Sequence, residues 1–362
     1  MKSLTTISSA AAACLAFQFP CLADGIVVGW GDDSTGQASI PADVTRVRAI
    51  AAGGDHSAAI LPNGLVRCWG DNGFGQCSPP NALASVIDLA CGLDHTAALR
   101  ADGSIVCWGR NAETQCDVPS GLGPAKRVEC GGINTIAVML DDSLVIWGDN
   151  TYGQLVPPRD VDRVRDVDGA WRFIAAVRLD GTVRCWGNNQ WGALTPPDGL
   201  VASAISCGDA HTIALRSDGS VACWGYNLHG QCDVPTDLPP VQQVSAGRGM
   251  HTLVLCADGS IRAWGAVNYD LGQTTVPAKL DRSCLQVAGG YSHSLAVEIL
   301  SPTCHDADLN DDNSVGGGDL SIVLGFWGLQ STAFPQADID GDGLVGGADL
   351  AIVLSNWGPC PN

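Results

Sequence analysis

Three observations predict an all-β fold, a closed ring of repeated sheets forming a seven-bladed β-propeller, followed by a small α-helical calcium-binding domain. Trp-Gly recurs seven times, at Trp30, Trp69, Trp108, Trp147, Trp186, Trp224 and Trp264, in steps of 39, 39, 39, 39, 38 and 40 residues. The first and last copies are complementary halves of one unit. A second duplication, with a 30-residue step, begins at Asp308 in a segment without Lys or Arg. A constant period of this length marks one supersecondary unit copied along the chain.

The unit is best seen between Arg46 and Gln76. Arg46 to Ala51 is β-prone and runs into Gly53-Gly54. His56 to Ile60 forms the next strand, Pro62-Asn63-Gly64 a turn, and Leu65 to Trp69 a further strand before the loop Gly70 to Gln76. Alternating apolar residues bounded by Asn-Gly or Asp-Gly signal hairpins. The turn returns as Asp102-Gly103, Asp180-Gly181, Asp218-Gly219 and Asp258-Gly259, whereas Asp141-Asp142 lacks the glycine. Four short strands per unit are expected, as in one propeller blade or one solenoid coil. The first copy opens halfway through a unit, at Asp24 to Trp30, and the last stops halfway, at Val287 to Val297. Joined, the halves complete a seventh blade and remove exposed sheet edges.

Gly53-Gly54-Asp55-His56-Ser57, Trp69-Gly70-Asp71-Asn72 and Gly272-Gln273-Thr274-Thr275-Val276-Pro277 resemble the regulator of chromosome condensation type of repeat. The short version is similar to secreted bacterial propellers of that family, including the β-lactamase inhibitory protein of that fold. The resemblance covers about residues 24–300 and implies a propeller. It implies no nucleotide-exchange role for an exported acidic chain.

Residues 1–23 read as a secretory signal: Lys2, an apolar stretch from Ala10 to Phe19, and Cys21-Leu22-Ala23 before the cleavage point. The predicted division is therefore 1–23 signal, 24–302 propeller and 303–362 C-terminal module. No stretch is long and apolar enough to span a membrane. A net charge of −19 excludes a nucleic-acid surface and suits an extracellular or cell-surface chain, taken as bacterial.

Residues recurring in every copy read as frame. The seven tryptophans fill space between sheets. His56, His95, His211, His251 and His293 share one slot, with Asn134 and Arg172 in the other copies; buried, hydrogen-bonded histidines are expected there rather than a metal site. Function belongs where copies differ. One variable loop carries Asp55, Leu93, Asp94, Ile133, Trp171, Arg172, Arg248, Met250 and Tyr291; the other carries Phe74, Tyr152, Trp191, Tyr226, His229 and Tyr269. The first is favoured as the partner-binding surface, through Trp171, Arg248, Met250 and Tyr291, because aromatic residues, Met and Arg dominate protein contacts. The two loops are allowed to sit on opposite faces.

Fourteen cysteines remain after residue 23, an even number in an exported chain. Cys68–Cys77, Cys107–Cys116 and Cys223–Cys232 repeat one nine-residue spacing and are expected as disulfides. Cys91 and Cys130 are either a pair or two small buried residues; Cys185, Cys207, Cys256 and Cys284 stay unassigned.

After Cys304, oxygen-bearing residues repeat at calcium-ligand spacing. The first loop offers Asp308, Asn310, Asp312, Ser314 and Asp319; the second offers Asp338, Asp340, Asp342, Leu344 (by its carbonyl) and Asp349. Two calcium ions are expected, with helices from Leu320 to Trp327 and Leu350 to Trp357. The duplication resembles the type I dockerin, which implies a cohesin-like partner. Gly317, Gly318, Gly347 and Ala348, however, stand where dockerins carry recognition residues. The Trp357-Gly358-Pro359-Cys360 ending resembles modules that act as surface anchors. Cys304 and Cys360 clasp the module, or Cys360 is free for attachment. The expectation is a secreted, non-enzymatic recognition or scaffold propeller for a protein or glycan partner. A dockerin-borne carbohydrate-active enzyme is one rival, needing clustered carboxylates near the ring axis (the loops offer Asp55, Asp94 and Asp209). A purely structural envelope protein is the other.

Overall fold

The computed structural model describes residues 25–81, 83–280, 284–299, 307–310, 312, 314–330, 335–339 and 344–359. The expected signal (1–23), Cys304, Cys360, Asp340 and Asp342 lie outside the described residues.

Each repeat unit forms three strands. The first complete set is β2 (Ala49–Ala52), β3 (His56–Ile60) and β4 (Val66–Gly70). Then follow β5–β7 (Val86–Cys91, His95–Arg100, Ile105–Gly109) and β8–β10 (Ala125–Cys130, Asn134–Met139, Leu144–Gly148). Next come β11–β13 (Val164–Gly169, Phe173–Arg178, Val183–Gly187) and β14–β16 (Ala204–Cys207, His211–Leu215, Val221–Gly225), then β17–β19 (Val241–Ala246, His251–Cys256, Ile261–Gly265). The fourth strand expected per unit is absent among the described residues. The segment that would form it carries prolines (Pro79-Pro80, Pro119, Pro157-Pro158, Pro196-Pro197). Proline has no N–H for a ladder, so these segments run as turns.

The two ends of the repeat region share a sheet, as the split unit predicts. β1 (Gly25–Gly31) pairs antiparallel with β21 (His293–Ile299), Trp30 opposite Ser294, and β21 pairs with β20 (Cys284–Gly289). This makes seven three-stranded sheets. The first strand of each lies against the first strand of the next in an unbroken circle, β20 against β2 included. The first strands therefore line the axis. Between sheets the interior is apolar. Trp69 packs with Ile50, Ala59, Val27, Leu295 and Val297, and Trp30 with Leu253, Leu255 and Val287, so the sheet that joins the two ends of the repeat region has an apolar junction with each neighbour.

In the turn without glycine an aspartate takes the glycine's backbone conformation, and the side-chain bond common to the other turns is kept. Asp142 adopts φ +72°, the left-handed region where Gly64, Gly103 and Gly181 sit in other copies. Asp141 Oδ1 accepts the Ser143 N–H at 3.1 Å, which closes the turn.

The C-terminal segment holds two nine-residue helices, α1 (Gly317–Gly325) and α2 (Gly347–Ser355), packed through Val323, Val353, Val315 and Val345. Both begin three residues before the expected Leu320 and Leu350. The cause is Asp319 and Asp349, whose Oδ2 atoms accept the Gly316 and Gly346 N–H groups at 2.7 Å and pin each first turn.

Candidate binding face

An antiparallel three-strand unit places the β2–β3 connection and the end of β4 at the same end of its sheet. Both variable loops therefore crowd one face of the ring, and the opposite-faces alternative is corrected. The loops are bonded to each other: Asp71 N–H donates to Asp55 O at 2.7 Å, Arg110 N–H to Asp94 O at 2.8 Å, and Tyr226 N–H to Ala210 O at 2.9 Å.

Behind the face lies a frame that explains the recurring residues. Each slot histidine reaches a hydroxyl on the next sheet: His56 to Thr96 at 3.0 Å, His95 to Thr135 at 3.1 Å, His211 to Thr252 at 3.0 Å, His251 to Ser294 at 3.2 Å, and His293 to Ser57 at 2.9 Å across the chain ends. Those hydroxyls donate to carbonyls such as Gln37 O and Gln76 O, which also accept Trp69 and Trp108 Nε1–H. The hydroxyl proton is thus committed, so the network assigns the imidazole proton to Nε2. Burial holds His56, His95 and His251 at about 3 and His211 and His293 at about 4, all neutral near pH 7.

The imidazole also dictates a glycine. A Cβ at Gly53, Gly92, Gly208, Gly247 or Gly290 would lie within 2.5 Å of the histidine ring. The slot in the fifth unit holds Phe173, paired opposite Gly187 as His56 is opposite Gly70, and not Arg172 as expected. There the glycine is replaced by Ala170.

The favoured contact set divides. Trp171 and Tyr291 are 40% and 45% exposed on the face. Met250 is half-buried beneath it. Arg248 is a correction: it is buried, and its Nη2 crosses the axis to the Cys91 and Cys130 carbonyls, 2.6 and 2.7 Å away on the far side of the ring. A charged strut in that position holds the ring together and offers a partner little surface.

The axis also holds carboxylates that the loop comparison did not find. Asp88 Oδ2 accepts Val128 N–H at 2.9 Å, Asp166 Oδ2 accepts Ile205 N–H at 2.7 Å, and Asp168 Oδ2 accepts Cys207 N–H at 2.8 Å. Gln243 and Gln286 make the same kind of bond to Val287 and Ile50. Asp88, Asp166, Gln243 and Gln286 follow register shifts in their strands. The signal was present in sequence as polar residues at alternate positions of otherwise apolar strands. These side chains join neighbouring strands. Arg127 pairs with Asp166 and Glu129 among them, and burial pushes the Glu129 carboxyl up against the pull of that arginine. Asp209, near Arg248 and Arg172, is likewise pushed up by burial to about 6.

The exposed part of the face is asymmetric. Over the fifth to seventh units, Trp191, Tyr226, His229 and Tyr269 form a continuous arc, with successive centroids 5.4, 5.7 and 4.8 Å apart. His229 Nδ1 lies 2.8 Å from the Val267 carbonyl and ties two of these loops together. Trp191, Ala266 and Asn268 hold left-handed φ values of +69°, +54° and +70°. Such strain persists only where the surroundings enforce it, and it gathers at functional sites. Phe74, Tyr152 and Trp171 differ in that each ring carries a guanidinium of this chain: Arg110 at 5.4 Å, and Arg172 at 5.5 and 4.6 Å.

The twelve described cysteines are thiols, so Cys68–Cys77, Cys107–Cys116 and Cys223–Cys232 are not bonded in the structure. The outer sulfurs instead approach the loop carbonyls, Cys77 Sγ at 3.1 Å from Asp71 O and Cys116 Sγ at 3.2 Å from Arg110 O, while Cys223 and Cys232 Sγ lie 2.6 Å apart. The repeated spacing still predicts that oxidation joins each pair. Non-reducing peptide mapping of protein purified in air should recover all three links, and reduction should lower stability by about 2–3 kcal/mol per loop. Recovery of pairings between different units would contradict this.

In the C-terminal loops, Asp312 N–H donates to Asp308 Oδ1 at 3.1 Å and Asn310 Nδ2 to Asp312 Oδ2 at 3.1 Å, gathering the first-loop oxygens. Asp319 Oδ1 accepts Leu309 N–H at 2.7 Å, and Asp349 Oδ1 accepts Ile339 N–H at 2.6 Å, so the two loops close alike. Asp308, Asp319 and Asp349 are buried in a segment without Lys or Arg. Among the described residues no three His, Cys, Asp or Glu side chains gather as a metal group, although amide, hydroxyl and carbonyl oxygens complete such loops.

Residues 47–76, 86–115 and 202–231 match the regulator of chromosome condensation (RCC1) repeat. The chain carries RCC1 repeats. Its fold is shared with solved structures, yeast RCC1 (Prp20) among them. Prp20p from Saccharomyces cerevisiae is 16% identical with a TM-score of 0.66, over 78% of this chain and 93% of that one. Human WBSCR16 is 17% identical with a TM-score of 0.58, over 75% and 99%. The ectodomain of the Physcomitrella patens receptor kinase CR4 is 20% identical with a TM-score of 0.55, over 65% and 66%. No curated protein matches the sequence. The mostly-β, RCC1-type fold is thus established on repeats and architecture together. No described helix is long and apolar enough to cross a membrane.

Proposed function

We propose that the chain is a secreted protein-binding scaffold: a closed seven-bladed propeller whose loop-bearing face holds a protein partner, carried by a calcium-dependent C-terminal module. The observation that carries this reading is the gathering of both variable loop sets, with Trp171, Trp191, Tyr269 and Tyr291 exposed, on one end of a rigid ring. Loops on a rigid scaffold are where binding concentrates. Prp20p, which shares the fold, is described by its binding to Gsp1p and histones and in a complex with Kap60, which supports protein binding as the class. Binding without catalysis is favoured because Asp88, Asp166 and Asp168 are engaged by backbone N–H groups.

The test is capture of partners from the native cell surface by three forms of the full chain. Wild type and a variant altered at the opposite end (Leu65→Ala, Leu140→Ala, Leu179→Ala) should capture the same protein. A face variant (Trp171→Ala, Trp191→Ala, Tyr291→Ala) should lose it. Capture unchanged by the face variant would reject the face.

Residues 303–362 fit two calcium ions held by Asp308, Asn310, Asp312, Ser314 and Asp319, and by Asp338, Asp340, Asp342, the Leu344 carbonyl and Asp349. A bound cation would offset the mutual repulsion of the carboxylates that each loop brings together. Its capture of a cohesin-like partner or a surface anchor is the attached proposal. Adding millimolar calcium to chelated protein should raise the melting temperature of this module by 10 °C or more and leave the ring's transition in place. An unchanged profile would remove calcium from the reading.

A further inference from the structure

Three loops of the face, residues 188–195, 226–231 and 266–272, contain a single carboxylate and no Lys or Arg, in a chain of net charge −19. That carboxylate, Asp270, accepts the Gly272 N–H and the Thr274 hydroxyl within its own turn. Around the aromatic arc the same loops expose Leu228, Val267 and Leu271, each more than half accessible. Charge depleted at the centre of a patch, with aromatic side chains enriched, is the composition of an interface core.

The occupant follows from a comparison within the molecule. Where rings stand on the other part of the face, the chain covers them with its own guanidinium groups, Arg110 over Phe74 and Arg172 over Tyr152 and Trp171. The arc of Trp191, Tyr226, His229 and Tyr269 has no such cation among the described residues. The loops of the two flanking units carry Asp32 and Asp33 on one side and Asp149 on the other, with Arg172 donating to Gln190 at the Trp191 end at 3.1 Å. A ring face attracts a cation through its quadrupole, by about 0.5–2 kcal/mol depending on desolvation. The acidic surroundings add long-range steering toward a positive partner.

We infer that the arc is the docking site for a basic, apolar segment of a protein partner, whose Arg or Lys side chains lie on the Trp191 and Tyr269 rings while its aliphatic side chains cover Leu228, Val267 and Leu271. This rests on the protein-binding reading of the face and specifies the chemistry of what binds. The arc is pre-shaped for the role. The His229 contact to Val267 joins two of its loops, and three non-glycine residues are held in left-handed conformations there. Less ordering entropy is then lost on association.

The test titrates the full chain against three end-blocked, fluorescently labelled dodecapeptides of alternating Leu with Arg, with Gln or with Glu, read by fluorescence polarisation at 150 mM salt. The Arg peptide should bind at least tenfold tighter than the Gln peptide, and the Glu peptide weakest. Trp191→Ala and Tyr269→Ala, which leave the net charge unchanged, should each weaken the Arg peptide five- to tenfold, while Phe74→Ala leaves it unchanged. Equal weakening by Phe74→Ala would show unspecific attraction to an acidic protein and overturn the arc. Equal affinity for the Arg and Gln peptides, still lost in the arc variants, would overturn the cationic occupant yet leave a protein-binding face standing. If no peptide binds and the arc variants still capture the native partner, the arc is rejected as the docking site, and only loss of capture in the broader face variant then upholds the face itself.

Discussion

Lowering the pH from 7 to 5 is expected to unfold the ring of sheets. Five imidazoles are held neutral in the folded chain at about 3 to 4, against an ordinary value of 6.5. Their folded values are depressed, so the unfolded chain binds more protons between pH 6.5 and about 4. Stability is full above 6.5 and drains away through that window. At pH 5 each histidine costs about 2 kcal/mol by this linkage. The sum over five rivals the whole stability of a typical domain, about 5–15 kcal/mol. Raised carboxyls act the other way. Glu129, Asp88, Asp168 and Asp209 are pushed up by burial, so they contribute stability as the pH falls through their folded values, in the case of Asp209 from about 6 toward 3.8. The histidines outnumber them in the window that matters. Urea midpoints measured at pH 7.5, 6.5 and 5.5 at constant ionic strength should fall steeply over the last step. A midpoint that is flat or rising would show that the histidines are solvated. His211→Phe, the residue that the chain itself places at 173, should shed about one proton from the slope.

Replacing Trp30 by Ala should be as damaging as replacing Trp108, about 3–5 kcal/mol in each case. Trp108 sits in a complete unit within the chain, whereas Trp30 lies on the strand that joins the two ends. Both are buried, and both donate Nε1–H to a carbonyl of another unit, Trp30 to Gln273 O and Trp108 to Gln76 O, each at 2.9 Å. In an open stack, β1 would be a frayed terminal strand and Trp30→Ala would cost little. Denaturant unfolding of the two variants distinguishes the cases. A Trp30→Ala chain close to wild type would mean that the ends do not zip together in solution.

Much of the architecture was readable in advance because it is written in periodic form. The Trp-Gly period, the Asp-Gly turns and the two matching half-units carry the sheet count and the pairing of β1 with β21 without reference to any other protein. The histidine slot was readable as buried structure for the same reason. What escaped was whatever depends on a side chain meeting a distant one. Arg248 looks like a contact residue among its loop neighbours; only the closed circle puts the Cys91 and Cys130 carbonyls opposite it. Asp88 and Asp166 look like polar interruptions until the neighbouring strand's N–H groups stand in front of them.

The chain's own pattern therefore decided the repeat and the turns, which depend on neighbours within about forty residues, and the end-joining strand, whose half-unit matches the half-unit at the far end because the chemistry is repeated in every copy. The shared loop face, the aromatic arc across three units and the strut through the axis were decided only in three dimensions. They depend on how far and in which direction separate units are brought together, and no local spacing records that.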